Sequence, residues 1–140
     1  MFQTIVVTTD FSDNSAVAVR PAIEIARKFE ARIVLIHALE GASGDPKVVA
    51  VELAGLASMA REQLQDFGAR EIGDQVPWTA EVAFGPAYLA ITDAALRHRA
   101  DLIVVATHGR TGLRHLLLGS VAERVARIAV CPVLTVRVPA

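Results

Sequence analysis

The chain holds a single cysteine, Cys131, in 140 residues. One thiol cannot close an internal disulfide and is too little for a structural zinc site, so a reducing cytoplasm is the expected compartment. An excess of charge of one sign is also missing. Fourteen Lys and Arg stand against 15 Asp and Glu, a formal net charge of −1. A general nucleic-acid binder needs a basic footprint to neutralise phosphates, and this balance supplies none. Long apolar runs are absent as well: stretches such as Leu102 to Ala106 fall far short of the ~20 residues that a membrane helix needs. The opening Met1-Phe2-Gln3-Thr4 lacks the basic and apolar regions of a leader, so a soluble chain without membrane association is expected. What is present is core material. Hydrophobic residues make up 53% and charged ones 21%, which excludes a disordered chain and suits one domain over residues 1–140.

Short β-branched runs alternate with helical patterns. Thr4 to Thr9, Arg32 to His37, Trp78 to Phe84, Asp101 to Ala106 and Val133 to Val138 read as strands, and continuous apolar runs of this kind suit a parallel sheet buried on both faces. Between them, Ala16, Val19, Ile23, Ala26 and Phe29 recur at helical spacing after a Ser12/Asp13 cap. Pro21 either kinks that helix or sits in the first turn of one that starts late. Glu40 to Pro46 reads as a loop. A long helix follows, with Val49, Leu53, Leu56, Ala60, Leu64 and Phe67 on one face and Gly68 as its stop. Gly85-Pro86 opens a third helix, Ala87 to Arg97, and Ser120-Val121-Ala122-Glu123 reads as a capping box with Ser120 at the cap, opening a fourth helix to about Ala129. The expected fold is therefore α/β, with a five-stranded parallel sheet.

In open parallel sheets of this class, ligands sit outside the carboxyl ends of the strands, where strand order reverses. Three strand ends matter: Thr8-Thr9-Asp10, His37-Ala38-Leu39, and Ala106 to Gly112. The third, Ala106-Thr107-His108-Gly109-Arg110-Thr111-Gly112, is small and polar, and Gly119-Ser120 stands seven residues beyond it, at a helix start. Small residues admit backbone N–H groups to an anion, a helix N-terminus adds its dipole and a hydroxyl adds a hydrogen bond. Turn glycines and a plain helix cap would look the same locally. No GxxxxGK[ST], no GxGxxG after the first strand and no GxSxG occurs, which excludes the P-loop, dinucleotide and nucleophile-elbow readings.

These residues resemble the universal stress protein family. The likeness runs through Thr8-Thr9-Asp10-Phe11-Ser12, His37, Asp101-Leu102-Ile103-Val104-Val105, His108-Gly109-Arg110-Thr111-Gly112, Gly119-Ser120-Val121-Ala122-Glu123 and Cys131-Pro132-Val133-Leu134, and covers essentially the whole chain. It implies a Rossmann-like domain of the adenine nucleotide alpha hydrolase-like kind, with helices on both faces of the sheet. ATP-binding members share a pattern of Gly, two residues, Gly, nine residues, Gly, then Ser or Thr. Here Gly109 and Gly119-Ser120 keep the spacing while Ala106 replaces the first glycine. A methyl is tolerated if that position is strand-like, which its place at the end of a β-rich run leads us to expect. By resemblance, Asp10 would face the ribose or adenine, with the Thr8 and Thr9 backbone beside the base and the Ala38 backbone at the adenine edge. Ala106, Thr107, His108, Gly109, Arg110, Gly119, Ser120 and Val121 would surround the phosphates of ATP, with Mg²⁺ bridging their oxygens. Members also pair their last strands, which implies a homodimer through Val133 to Val138.

The expected function is a cytoplasmic, ATP-binding stress-response regulator with at most slow hydrolysis and an unidentified protein partner, since no nucleophile with a placed base and no acidic metal cluster occurs. One rival is a dimeric interaction module that binds no nucleotide. Another is a nucleotide hydrolase using Asp10 or His108. His37 reads as a satisfied core or rim histidine, Cys131 as a small buried apolar residue, His98 as solvated surface, and Trp78 as cover for the sheet edge or a helix.

Overall fold

The computed structural model describes residues 2–41, 45–107 and 119–138. Strands β1 (Thr4–Thr8), β2 (Arg32–Leu39), β3 (Trp78–Phe84), β4 (Leu102–Ala106) and β5 (Val133–Val136) alternate with helices α1 (Asp13–Phe29), α2 (Pro46–Glu71), α3 (Ala87–Arg97) and α4 (Ser120–Ile128). The strands lie parallel in the order β3-β2-β1-β4-β5. Because side chains alternate across a strand, each one feeds two cores. Ile5, Val7, Ile33, Leu35 and Val104 pack under α1 and α2, while Val6, Val34, Ile36, Ile103 and Val105 pack under α3 and α4. The expected five-stranded α/β sheet with helices on both faces is the observed one.

Several boundaries differ from the sequence reading, each for a local reason. β1 stops at Thr8, and β2 runs on through Ala38 to Leu39 because β3 continues to pair with it there. β5 ends at Val136, two residues short of Val138. α1 starts at Asp13, capped by the Ser12 hydroxyl accepting from the Ser15 amide, so the late start at Pro21 does not occur. Buried residues on both sides of Pro21, Ala18 and Val19 before it and Ala22 and Ile23 after it, keep the helix on the sheet. α2 does not stop at Gly68; it continues to Glu71, and Gly73 takes the left-handed turn at φ +60. Ser120 is not a cap. Gly119 is the N-cap of α4 and makes no side-chain cap bond, while Glu123 reaches forward to Arg127 instead of back to the helix start.

Asp101, just before β4, ties the sheet to the start of the chain. Its carboxylate accepts the amides of Gln3 at 2.8 Å and Thr4 at 3.0 Å, and these bonds hold its pKa below the usual 3.8. A depressed carboxylate contributes stability above its unfolded pKa and loses it as pH falls through the folded value. Denaturant midpoints should therefore start to fall below about pH 4, and Asp101→Asn should flatten that acid-side fall while lowering the midpoint at pH 7. An unchanged slope in the variant would exclude this contribution. Among the described residues, no helix is long and apolar enough to cross a membrane.

Candidate functional site

Strand order reverses between β1 and β4: the chain moves outward through β2 and β3 on one side of β1, then returns to place β4 on the other. Such a reversal leaves a crevice at the strands' carboxyl ends, because the two connections leave in opposite directions. A cavity of about 310 Å³ occupies that crevice, at the lower end of the range for small-molecule sites. Thr8, Thr9 and Asp10 line it from the end of β1 and just beyond, Ala38 from β2, Ala106 and Thr107 from the end of β4 and just beyond, and Gly119, Ser120 and Val121 from the start of α4. Of the sequence candidates, His108, Gly109 and Arg110 lie outside the described residues. All the others border the one cavity.

Backbone parity decides which polar groups face it. Along a strand, the N–H and C=O of one residue point to one side and those of the next to the other. On β2, the Ile36 carbonyl accepts from Thr9 of the β1 side, while the Leu39 carbonyl accepts from Gly85 on the β3 side. Ala38 therefore turns its N–H and C=O toward β1, at a level where β1 has already left the sheet. The same count on β4 starts from Thr107, whose amide donates to Val136 of β5. Ala106 accordingly turns its backbone groups toward the crevice. Ala106 lies within β4 and pairs with Val136, and it is not among the residues with positive φ. The strand-like geometry expected of it is observed, so its methyl strains nothing.

The α4 end of the cavity suits an anion. With Gly119 as a cap without a side-chain acceptor, the first-turn amides are not claimed by a capping side chain. Gly119 itself donates to the Thr107 carbonyl at 2.5 Å, which fixes the helix start to the end of β4.

The β1 end is held by hydrogen bonds. The Asp10 carboxylate accepts the Ser12 amide at 3.0 Å and also the Ser12 hydroxyl. Thr9 and Ser15 hydroxyls share a buried bond of 2.7 Å. His37 reads as expected of a satisfied histidine: its Nδ1 faces the Thr9 carbonyl at 2.9 Å, and a carbonyl only accepts, so Nδ1 carries the proton. Among the described residues, no group of three His, Cys, Asp or Glu side chains could hold a metal ion.

Sequence reasoning missed several walls. Ser15, His37, Ala87, Ile91, Val105 and Ala122 also line the cavity. His37 belongs to a strand end already singled out but was read only as a satisfied histidine, and Ser15 reaches the cavity from the first turn of α1 through its bond to Thr9. Ala87 and Ile91 reach the site only because α3 lies across β2 and β3, which no local pattern reveals. His98 is not simply solvated surface: its Nε2 meets Glu81 at 3.2 Å, beside a two-pronged Arg97–Glu81 pair, and the Arg97 bonds hold the Glu81 carboxyl below its usual range. Cys131 is half-buried against the α3–α4 core, and burial pushes its thiol pKa up, as suits a packing residue.

The family model described as the universal stress protein family matches residues 1–137. Universal stress protein MJ0531 of Methanocaldococcus jannaschii is 36% identical, over 99% of this chain and 84% of its own length. The solved structure of the hypothetical protein MJ0577, 24% identical, superposes with a TM-score of 0.83 over 100% of this chain and 99% of that one. A universal stress protein solved in complex with cAMP is 27% identical, with a TM-score of 0.66 over 99% of both chains. With the family match spanning nearly every residue and a relative above 30% identity along the whole length, the chain belongs to the universal stress protein family.

Proposed function

We propose that this chain, as one domain over residues 1–140, is a cytoplasmic ATP-binding regulator in the stress response. One observation carries the reading: the crevice where strand order reverses has a backbone edge at Ala38 on one side and an uncapped helix start at Gly119 on the other. The first offers a paired donor and acceptor to a flat heterocycle, and the second offers amides and a dipole to phosphate oxygens. A related structure holding cAMP supports an adenine nucleotide as the ligand class. Asp10, Thr8 and Thr9 would contact the base and ribose. Ala106, Thr107, His108, Gly109, Arg110, Gly119, Ser120 and Val121 would enclose the phosphates, and Mg²⁺ would supply charge neutralisation between phosphate oxygens.

Among the described residues, the Ser12 hydroxyl that meets the Asp10 carboxylate is engaged in capping α1, so regulation through occupancy of the site is the reading, with turnover far below the ordinary enzyme range of about 1–10³ per second. Protein purified without added nucleotide, then denatured and chromatographed, should release adenine nucleotide. An empty protein that nonetheless captures a partner would favour the rival interaction module.

The homodimer is proposed through the outer edge of β5, which no described strand pairs. Val136 and Pro132 carbonyls face β4, so by the same parity Val133 and Thr135 turn their backbone groups outward. An unpaired edge invites another strand, and Val130 beside it is 78% exposed. Proline at an outward-facing edge position removes a donor without touching the inner ladder. Thr135→Pro should therefore leave a folded monomer where the parent chain sediments as a dimer at micromolar concentration. A parent chain that sediments as a monomer would remove the dimer from the account.

A further inference from the structure

Of the described non-glycine residues with positive φ, Glu30 and Arg99 follow the ends of α1 and α3, where a left-handed residue is an ordinary way to end a helix. Phe11, at φ +69, is different. It follows a strand, it carries a bulky ring and it sits next to Asp10. Left-handed backbone is disfavoured for such a residue, so something must hold it there, and strain of this kind collects at functional sites.

Two groups hold it. The Phe11 ring stacks on His37 at 4.2 Å between centroids, with 26° between planes, and meets the edge of Phe67 at 6.3 Å. Its amide donates to the Thr9 hydroxyl at 2.9 Å. His37 is tied in turn to the Thr9 carbonyl at 2.9 Å. Both ends of the stack therefore return to Thr9, and the residue enclosed between Thr9 and Phe11 is Asp10. Beyond Phe11, the Ser12 amide donates to the Asp10 carboxylate at 3.0 Å, closing a turn with Phe11 at its middle. Asp10 lines the cavity, whereas Phe11 packs behind it against the α1–α2 core.

We propose that Phe11 is a positioning residue: clamped in left-handed backbone by His37, it sets where the Asp10 carboxylate stands in the nucleotide cleft. The inference rests on the nucleotide reading of that cleft. It acts through Asp10 and requires no contact between the Phe11 ring and the ligand.

The test is a double-mutant cycle on Mg–ATP affinity by titration calorimetry. Valine disfavours left-handed backbone more strongly than phenylalanine, so Phe11→Val should weaken binding by about tenfold. Phe11→Gly loses the ring but adopts φ +69 without strain, and should bind within a few-fold of the parent. Because Phe11 acts through Asp10, Phe11→Val should add nothing in an Asp10→Ala background. Phe11→Ala serves as a second strained variant if the valine chain does not fold, with the same coupling expected. Losses that multiply in the double variant would overturn the proposal, as would a glycine variant that binds no better than valine. A parent chain that does not bind Mg–ATP removes the nucleotide reading itself, and the proposal with it. That outcome shows in the parent titration alone.

Discussion

Gly68→Leu is expected to destabilise the fold by about 3 kcal/mol, roughly 10 °C in Tm for a domain of this size. A Cβ placed on Gly68 would stand 2.3 Å from Cζ3 and 2.4 Å from Cη2 of Trp78. The indole cannot simply swing aside, because its Nε1 donates to the Gly73 carbonyl at 2.9 Å and its backbone is part of β3, paired with Ile33. Either the ring is displaced and gives up its burial, worth about 2–3 kcal/mol for a large side chain, or α2 lifts from the sheet. Gly68→Ala pits the same clash against the roughly 1 kcal/mol that alanine gains over glycine in a helix. Overpacking of 1–3 kcal/mol should win that contest narrowly. Urea unfolding of both variants, alone and with Trp78→Leu, checks the mechanism. Removing the indole should relieve most of the cost, and an alanine variant more stable than the parent would contradict the close approach.

This glycine also marks the limit of what the sequence could reveal. Gly68 follows a regular apolar stripe, and glycine after such a stripe most often ends a helix. Its real role depends on Trp78, ten residues later on another element, and only the packed structure brings the two together. The same holds at α4. Ser120 followed by Glu123 satisfies the pattern of a capping box, yet the cap falls one residue earlier, at Gly119, where the donor to Thr107 fixes the helix start. Strand order is another long-range property. Alternation of strand and helix put β1 to β5 in one sheet, but the reversal between β1 and β4 belongs to the tertiary fold.

What was legible was local. Buried strands announce themselves as unbroken β-branched runs such as Thr4 to Thr8 and Leu102 to Ala106. Strand ends in an α/β sheet are candidate ligand positions for a general topological reason, so Thr9, Asp10, Ala38 and Thr107 could be named before the cavity was seen. Phe11 could not. A positive φ on an aromatic residue leaves no trace in composition or periodicity, and its partner His37 lies on a different strand.

The largest functional effect is expected from Gly119→Val. Gly119 sits at φ −67 and ψ 157, extended backbone that valine adopts readily, so the helix start should survive the change. Gly119 lines the cavity, however, so an isopropyl group there crowds the mouth where phosphate oxygens would approach the α4 amides. Loss of that approach removes hydrogen bonds to charged oxygens as well as space, and affinity should fall by two orders of magnitude or more, about 3 kcal/mol. Val121→Ala, two residues further along the same wall, enlarges the site and should change affinity far less.

The direct measurement is the melting temperature of the parent chain and of Gly119→Val, each with and without Mg–ATP. A ligand present at about 100 times its Kd adds about 2.7 kcal/mol to the folded state. A clear upward shift is expected for the parent chain and none for Gly119→Val, whose melting without nucleotide lies a few degrees lower because valine is a poor N-cap. No shift for the parent chain at millimolar Mg–ATP, or an equal shift in both proteins, would contradict a nucleotide bound at the start of α4.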